Sequence, residues 1–353
     1  MSCRKQSRRH RVPVGPPVNY VTSWRIDRLV SNRIDVAAKV NLELINPWGI
    51  VVWNNQIWVV NNGTDSISNF DLFGNRMLNN ITMRNRIHNS AFSTGLAINC
   101  QGGFSLTGPS SGTRSSLLLS SNELGAVHGF NPDVNEQYSP IVLNQKLTGY
   151  IHCYKGIAIN GGLMYLPDFF RGNIDVFDRD YEPQQGFFFK DADMSDPIPD
   201  DYGPNNIVSI GANMYVLWSR RDPAVPLHSY EGVGYGYISV FEPNGRFVSR
   251  FASRGVLNDP WAMIPAPLEC GFPPGSFLVG NHGDGRIHVF DSHGNLVGPM
   301  IGQSGLPIQI EGLRGLAPHY CNVNRIYFTS SPNPLTDGLV GVLTPDQKIP
   351  APC

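Results

Sequence analysis

Apolar and polar positions along the chain alternate in short runs broken at Gly, Pro, Asn and Asp, and no long stretch shows a helical period. The run Asn46-Pro47-Trp48-Gly49-Ile50-Val51-Val52 is followed by Gln56-Ile57-Trp58-Val59-Val60-Asn61-Asn62-Gly63 and then by Ser66-Ile67-Ser68-Asn69-Phe70-Asp71. These are three strand-sized pieces in a fixed order: one with a small residue and then aliphatics, one of aromatic and β-branched residues ending in Asn or Asp, and, after a turn, one ending in an aromatic and an acid. The same order returns over residues 94–130, 154–178, 205–242, 259–291 and 313–343. Its clearest copy is Tyr154-Lys155-Gly156-Ile157-Ala158-Ile159, Leu163-Met164-Tyr165-Leu166-Pro167-Asp168 and Gly172-Asn173-Ile174-Asp175-Val176-Phe177-Asp178.

Equivalent positions of the six copies are Gly49, Gly95, Gly156, Asn206, Ala262 and Gly315, at intervals of 46 to 61 residues. Such a period suits a three- or four-stranded blade, with the excess length in loops. One blade leaves both faces of its sheet exposed, so the copies must stack into a closed ring to bury them. The pattern therefore predicts an all-β, six-bladed β-propeller. Residues 21–30 read as a further strand that pairs into the last blade and closes the ring. A two-sheet sandwich also has many short strands, but it does not repeat them in fixed order. Trp48 and Trp261, at equivalent Pro-Trp positions, are expected to anchor the packing between blades.

Blades over residues 46–345 leave no room for a second domain, giving a basic arm at 1–17, one propeller at 18–345 and a tail at 346–353. The apolar fraction is 41%, and no apolar run approaches the roughly 20 residues of a membrane span. Arg4, Lys5, Arg8, Arg9 and Arg11 form a basic cluster, and Val12-Pro13-Val14-Gly15-Pro16-Pro17 follows where a secretion signal needs an apolar helix. An intracellular or particle-associated location is the expectation. Five of the 27 basic residues lie in that cluster, so the remainder is mildly acidic, 22 against 28. The arm can contact nucleic acid or an anionic surface, whereas the acidic body argues against an RNA-binding face. Cys3, Cys100, Cys153, Cys270, Cys321 and Cys353 include no C-x-x-C pair. They are expected to be mostly reduced thiols, and with no His cluster at zinc spacing a structural zinc site is not expected.

Asn46-Pro47-Trp48-Gly49-Ile50, Tyr154-Lys155-Gly156-Ile157-Ala158, Gly280-Asn281-His282-Gly283-Asp284-Gly285-Arg286-Ile287 and the closing Asp337-Gly338-Leu339-Val340-Gly341-Val342-Leu343-Thr344-Pro345 are similar to a family of uncharacterised, mainly bacterial propeller proteins. The repeats of that family resemble NHL repeats, and the likeness covers about residues 28–345. It implies the fold, carries over no catalytic residue, and places family members commonly outside the cell.

Candidate chemistry lies where loops from different blades converge at one end of the central channel. Asn46, Asn205, Asn206 and Asp259 stand at or just before inner strands, and Glu311 precedes the sixth. Oxygen donors converging there suit Ca²⁺ or Mg²⁺, while Asn and Asp in such places also simply cap turns. His282 and Asp284 share one Gly-rich turn and are the weak candidates for acid–base work. The acidic segment 191–204 reads as a solvated loop. The insertion at residues 220–236, with Arg221, Tyr230 and Tyr235, joins charge to aromatic surface and suits recognition of a partner. No nucleophile motif or cofactor fingerprint accompanies these groups. Two functions stay open: a noncatalytic module binding a protein, glycan or assembly component through its loop face, which is favoured, and a divalent-metal-dependent hydrolase or lyase working in the channel.

Overall fold

Every repeat forms an antiparallel meander, because polar turns of varied length join its pieces and each piece carries apolar side chains on both faces. The computed structural model describes residues 23–83, 92–108, 112–267, 271–319, 325–334 and 336–346. In it, six small sheets stand around one axis as a six-bladed β-propeller. The first blade runs from the inside out through Pro47–Trp53, Gln56–Asn61, Ser66–Asp71 and Ile81–Thr82. Its successors begin with Ser93–Ile98, Ala158–Asn160, Tyr202–Ile210, Pro260–Pro265 and Leu313–Pro318. The third blade has three strands. A surface hairpin, Ser105–Gly108 with Gly112–Ser115, interrupts the second, a feature the repeat pattern does not reveal.

The ring closes as expected. Trp24–Ser31 pairs antiparallel with Leu339–Pro345, from Trp24 opposite Pro345 to Ser31 opposite Leu339, and supplies the fourth strand of the last blade, with the short Lys39–Val40 outside it. The basic arm and residues 21 and 22 lie outside the described residues. The apolar core is divided among the seams between blades. Ile50, Ile57, Tyr327 and Val340 fill the seam between first and last, and Tyr165, Val176, Ile207 and Val216 fill that between third and fourth. Each seam removes the aliphatic and aromatic faces of two sheets from water, which is the main stabilising term of the ring.

The repeated glycines are explained at the axis. A Cβ on Gly95 would stand 2.6 Å from the carbonyl carbon of Gly156, and one on Gly315 would stand 2.7 Å from the Trp48 carbonyl oxygen. The inner strands approach backbone to backbone, so a side chain does not fit. What remains of the channel is a cavity of about 100 Å³ lined by Gly49, Gly95, Asn206, Ala262 and Gly315.

Candidate functional site at the channel mouth

The residues that immediately precede the axial ring are Trp48, Thr94, Lys155, Asn205, Trp261 and Arg314, one from each blade. The turn between second and third strands of each blade reaches the same end of the ring, because a meander reverses direction at every strand. The insertion 220–236 is the longest of these turns. It therefore lies over this mouth and not the opposite one.

Trp48 and Trp261 meet edge to face with centroids 5.9 Å apart. They come from the first and fifth blades and are buried in one apolar cluster with Leu313 and Leu316, so they pack between blades as expected, at the mouth. The Arg314 guanidinium lies 3.8 Å from the centroid of the Trp48 ring, and the Lys155 ammonium lies 5.3 Å from it. The Trp261 indole N–H donates to the Lys155 carbonyl oxygen at 3.1 Å. Lys155 is buried and its ammonium donates to Glu123. Burial opposes that charge, but the Glu123 carboxylate holds the ammonium above its usual pKa. Arg314 is buried as well, and its Nε has no hydrogen-bond partner among the described residues. Desolvation pulls its pKa down to about 10 although Asp259 and Glu123 favour the charge.

An acid and imidazole group adjoins this pair of rings. Asp259 is fully buried; one carboxylate oxygen accepts from Asn205 Nδ2 at 2.8 Å and the other from the Ser229 hydroxyl at 2.6 Å. Its backbone has φ +50°, and the equivalent Asn46 has φ +48°, both in the left-handed region that is costly outside glycine. His282, at the end of the strand Phe277–Asn281, places Nδ1 3.0 Å from the Leu313 carbonyl oxygen and Nε2 3.6 Å from Glu231. Burial, aided by Arg314, lowers the His282 pKa to about 3, so the ring is neutral. Burial and the nearby Asp259 raise the pKa of Glu231.

Of the metal candidates, Asn205 and Asp259 are brought together. Asn46 is turned to its own blade, donating to Asn62 and accepting from the Trp48 indole N–H. Asn206 donates to the Trp261 carbonyl oxygen at 2.7 Å. Glu311 is exposed and lines a separate groove beside Ile26, Arg28 and Arg33. His282 and Asp284 face different partners: Asp284 accepts from the Arg286 N–H and closes the turn. Arg221 donates to the carbonyl oxygens of Phe169 and Asp200, and it is Arg220 that lies over Tyr230 and Tyr235, at 5.6 and 4.9 Å. The acidic segment differs from a plain solvated loop. Asp191 is bound by Arg250 at 2.6 and 2.9 Å, and Asp196 pairs with Arg254 at 3.1 Å. Cys100 and Cys153 are free thiols, and burial pushes Cys153 up to about 12; the other four cysteines lie outside the described residues.

Pattern reading placed Glu231 only among the charges of the insertion 220–236, since its partners come from another blade, and it missed a second buried network. There His152 Nδ1 lies 2.7 Å from Asp168 and 3.5 Å from Asp175, to which the Tyr154 hydroxyl donates at 2.7 Å. Burial raises the pKa of Asp168. The only sequence sign was that His152 precedes the third repeat and Asp168 ends its second strand. Among the described residues no helix is long and apolar enough to cross a membrane.

No family model matches the chain. It is 55% identical over 337 residues to the uncharacterized protein R648 of Acanthamoeba polyphaga mimivirus, covering 96% of this chain and 84% of that protein. It is 54% identical over 338 residues to protein L690 of the same virus, covering 96% and 90%. These relatives are viral, so the expectation of a mainly bacterial family is not borne out. Among solved structures, a Bacteroides thetaiotaomicron protein of unknown function matches with a TM-score of 0.58 at 12% identity, over 91% of this chain and 76% of that one. Luciferin-regenerating enzyme matches with a TM-score of 0.54 at 10% identity, over 91% and 95%. Likeness at such identities shows the fold, and a fold shared with an enzyme leaves the question of catalysis to the site.

Proposed function

The chain belongs to the same protein family as the mimivirus proteins R648 and L690, and we propose that it is a binding propeller whose channel-mouth loops recognise a protein or glycan partner. The observation that carries this reading is the stack of Arg220 with Tyr230 and Tyr235 on the insertion 220–236. Tyr230 is 44% exposed there, and tyrosine with arginine is the pairing that dominates recognition surfaces. The axial cavity of about 100 Å³ is well below the roughly 300–1,000 Å³ of small-molecule sites. At its mouth Asn205 and Ser229 already bind the Asp259 carboxylate.

The test is a photo-crosslinking amino acid at position 230, with position 53 as control. Trp53 ends an inner strand and so lies on the opposite face of the ring. In an extract of the source organism, a discrete partner should crosslink at 230, compete with unlabelled protein, and weaken at least tenfold with Arg220→Ala. Equal crosslinking at 53, or none altered by Arg220→Ala, would refute the reading. The second reading, a divalent-metal-dependent hydrolase or lyase, draws on Glu231, Asp259 and His282, whose donor atoms lie within 4.8 Å of one another. Turnover that disappears in Asp259→Asn would put it first.

A further inference from the structure

We propose that Glu231, Asp259 and His282 form a site for one first-row divalent cation of the zinc type, and that this ion fastens the recognition loop to the body of the propeller. The inference rests on the loop-face reading for its consequence but not for its chemistry. The three ligands come from three places: Glu231 from the insertion 220–236, Asp259 from the start of the inner strand of blade five, and His282 from the turn after that blade's second strand.

The imidazole supplies the decisive geometry. Its Nδ1 faces the Leu313 carbonyl oxygen at 3.0 Å, and a carbonyl only accepts, so Nδ1 carries the proton and Nε2 presents a lone pair. That lone pair is directed at the Glu231 carboxylate 3.6 Å away, beyond hydrogen-bond reach, with Asp259 alongside. A lone pair facing two carboxylates is repulsive until a proton or a metal cation lies between them, and a cation answers both carboxylates at once. Donors about 2.1 Å from one tetrahedral ion stand about 3.4 Å apart, close to the 3.6 Å between His282 and Glu231, and all three donor atoms lie within 4.8 Å of one another. A backbone carbonyl holding the far nitrogen of a ligating histidine, and neutral donors holding its carboxylate partner, are the usual supports of such ligands. Leu313 plays the first part, and Asn205 and Ser229 play the second.

One imidazole with two carboxylates suits zinc and its neighbours, whereas Ca²⁺ takes six to eight oxygens; the Ca²⁺ or Mg²⁺ expected from the sequence is thus replaced in this proposal. Arg314, beside the same carboxylates, works against the ion and sets a moderate affinity. Joining Glu231 to blade five holds the neighbouring Tyr230 and Tyr235 in place, which lowers the ordering cost of binding a partner.

The experiment is calorimetric titration of Zn²⁺ into chelator-stripped full-length protein, with elemental analysis, on wild type, Glu231→Gln, His282→Gln and His152→Asn. One zinc per chain is expected, bound at least tenfold more weakly by the first two variants and unchanged in the third. Zinc should also slow chymotryptic cleavage after Tyr230 in wild type and not in Glu231→Gln. Glu231 is exposed, so its substitution leaves the fold intact even where His282→Gln does not. Absence of stoichiometric zinc, equal or tighter binding of Ca²⁺, or loss of zinc in His152→Asn in place of Glu231→Gln would overturn the proposal. Because no partner is present, failure here leaves the crosslinking result at position 230 to decide the binding reading separately.

Discussion

Replacing Trp24 with alanine tests whether the strand Trp24–Ser31 closes the ring or merely decorates it. The Trp24 indole is 2% exposed. It stacks on Phe272 with centroids 5.8 Å apart and planes 8° from parallel, and it packs in the seam that contains Met300, Ile308 and Leu343. The backbone N–H of Trp24 donates to the Ile301 carbonyl oxygen at 2.8 Å, tying the last blade to the fifth, and the substitution leaves that bond in place. A buried indole removes roughly 200 Å² from water, worth about 5 kcal/mol at about 25 cal/mol per Å². Measured truncations of buried aromatics run at about 3–5 kcal/mol, the range expected here. Urea unfolding should give this loss for Trp24→Ala, and less than about 1 kcal/mol for Ile26→Ala on the same strand, whose side chain is 37% exposed. Hydrogen exchange should accelerate along Leu339–Pro345, the strand that Trp24–Ser31 covers. A loss below about 1 kcal/mol for Trp24→Ala, or unchanged protection of Leu339–Pro345, would refute closure by this strand.

Gly95→Ala should cost about 1–3 kcal/mol by forcing the second and third blades apart, since the added Cβ meets backbone atoms of Gly156 and Ile157 at 2.6 and 2.7 Å; an unchanged urea midpoint would show that the axis is looser than described. His128, 1% exposed, keeps Nδ1 3.0 Å from the Ser139 carbonyl oxygen, and burial lowers its pKa to about 4. Unfolding returns it to about 6.5, so its contribution is intact above that pH and is lost as pH falls from about 6.5 toward 4, by about 1.4 kcal/mol per unit. Urea midpoints at pH 7, 6 and 5 should fall more steeply for wild type than for His128→Leu, and parallel curves would contradict the assignment.

Much of the architecture was legible from local pattern. The fixed order of strands, the small residue at each inner strand and the extra strand before the first repeat are properties of sequence neighbours, and a two-residue period with polar turns leaves a meander as the only economical fold. The hairpin within the second blade escaped notice because Ser105–Gly108 and Gly112–Ser115 carry no copy of the repeat. At the mouth the local signals misled. His282 and Asp284 stand two apart in one turn, yet the imidazole is directed toward Glu231 and Asp259, contributed by a loop and by another strand. Arg220 and Arg221 are adjacent, but the backbone turns the first toward Tyr230 and Tyr235 and the second toward Phe169 and Asp200. The sequence by itself determined the repeat and the blades, because hydrogen bonding and side-chain alternation act between near neighbours, and it implied the closure through one strand left over before the first repeat, whose partner Leu339–Pro345 is distant along the chain. Only the tertiary structure decided which of six distant positions meet at the axis: curling the sheets into a ring puts Trp48 against Trp261 and Asn205 against Asp259, and no periodicity along the chain encodes distances across it.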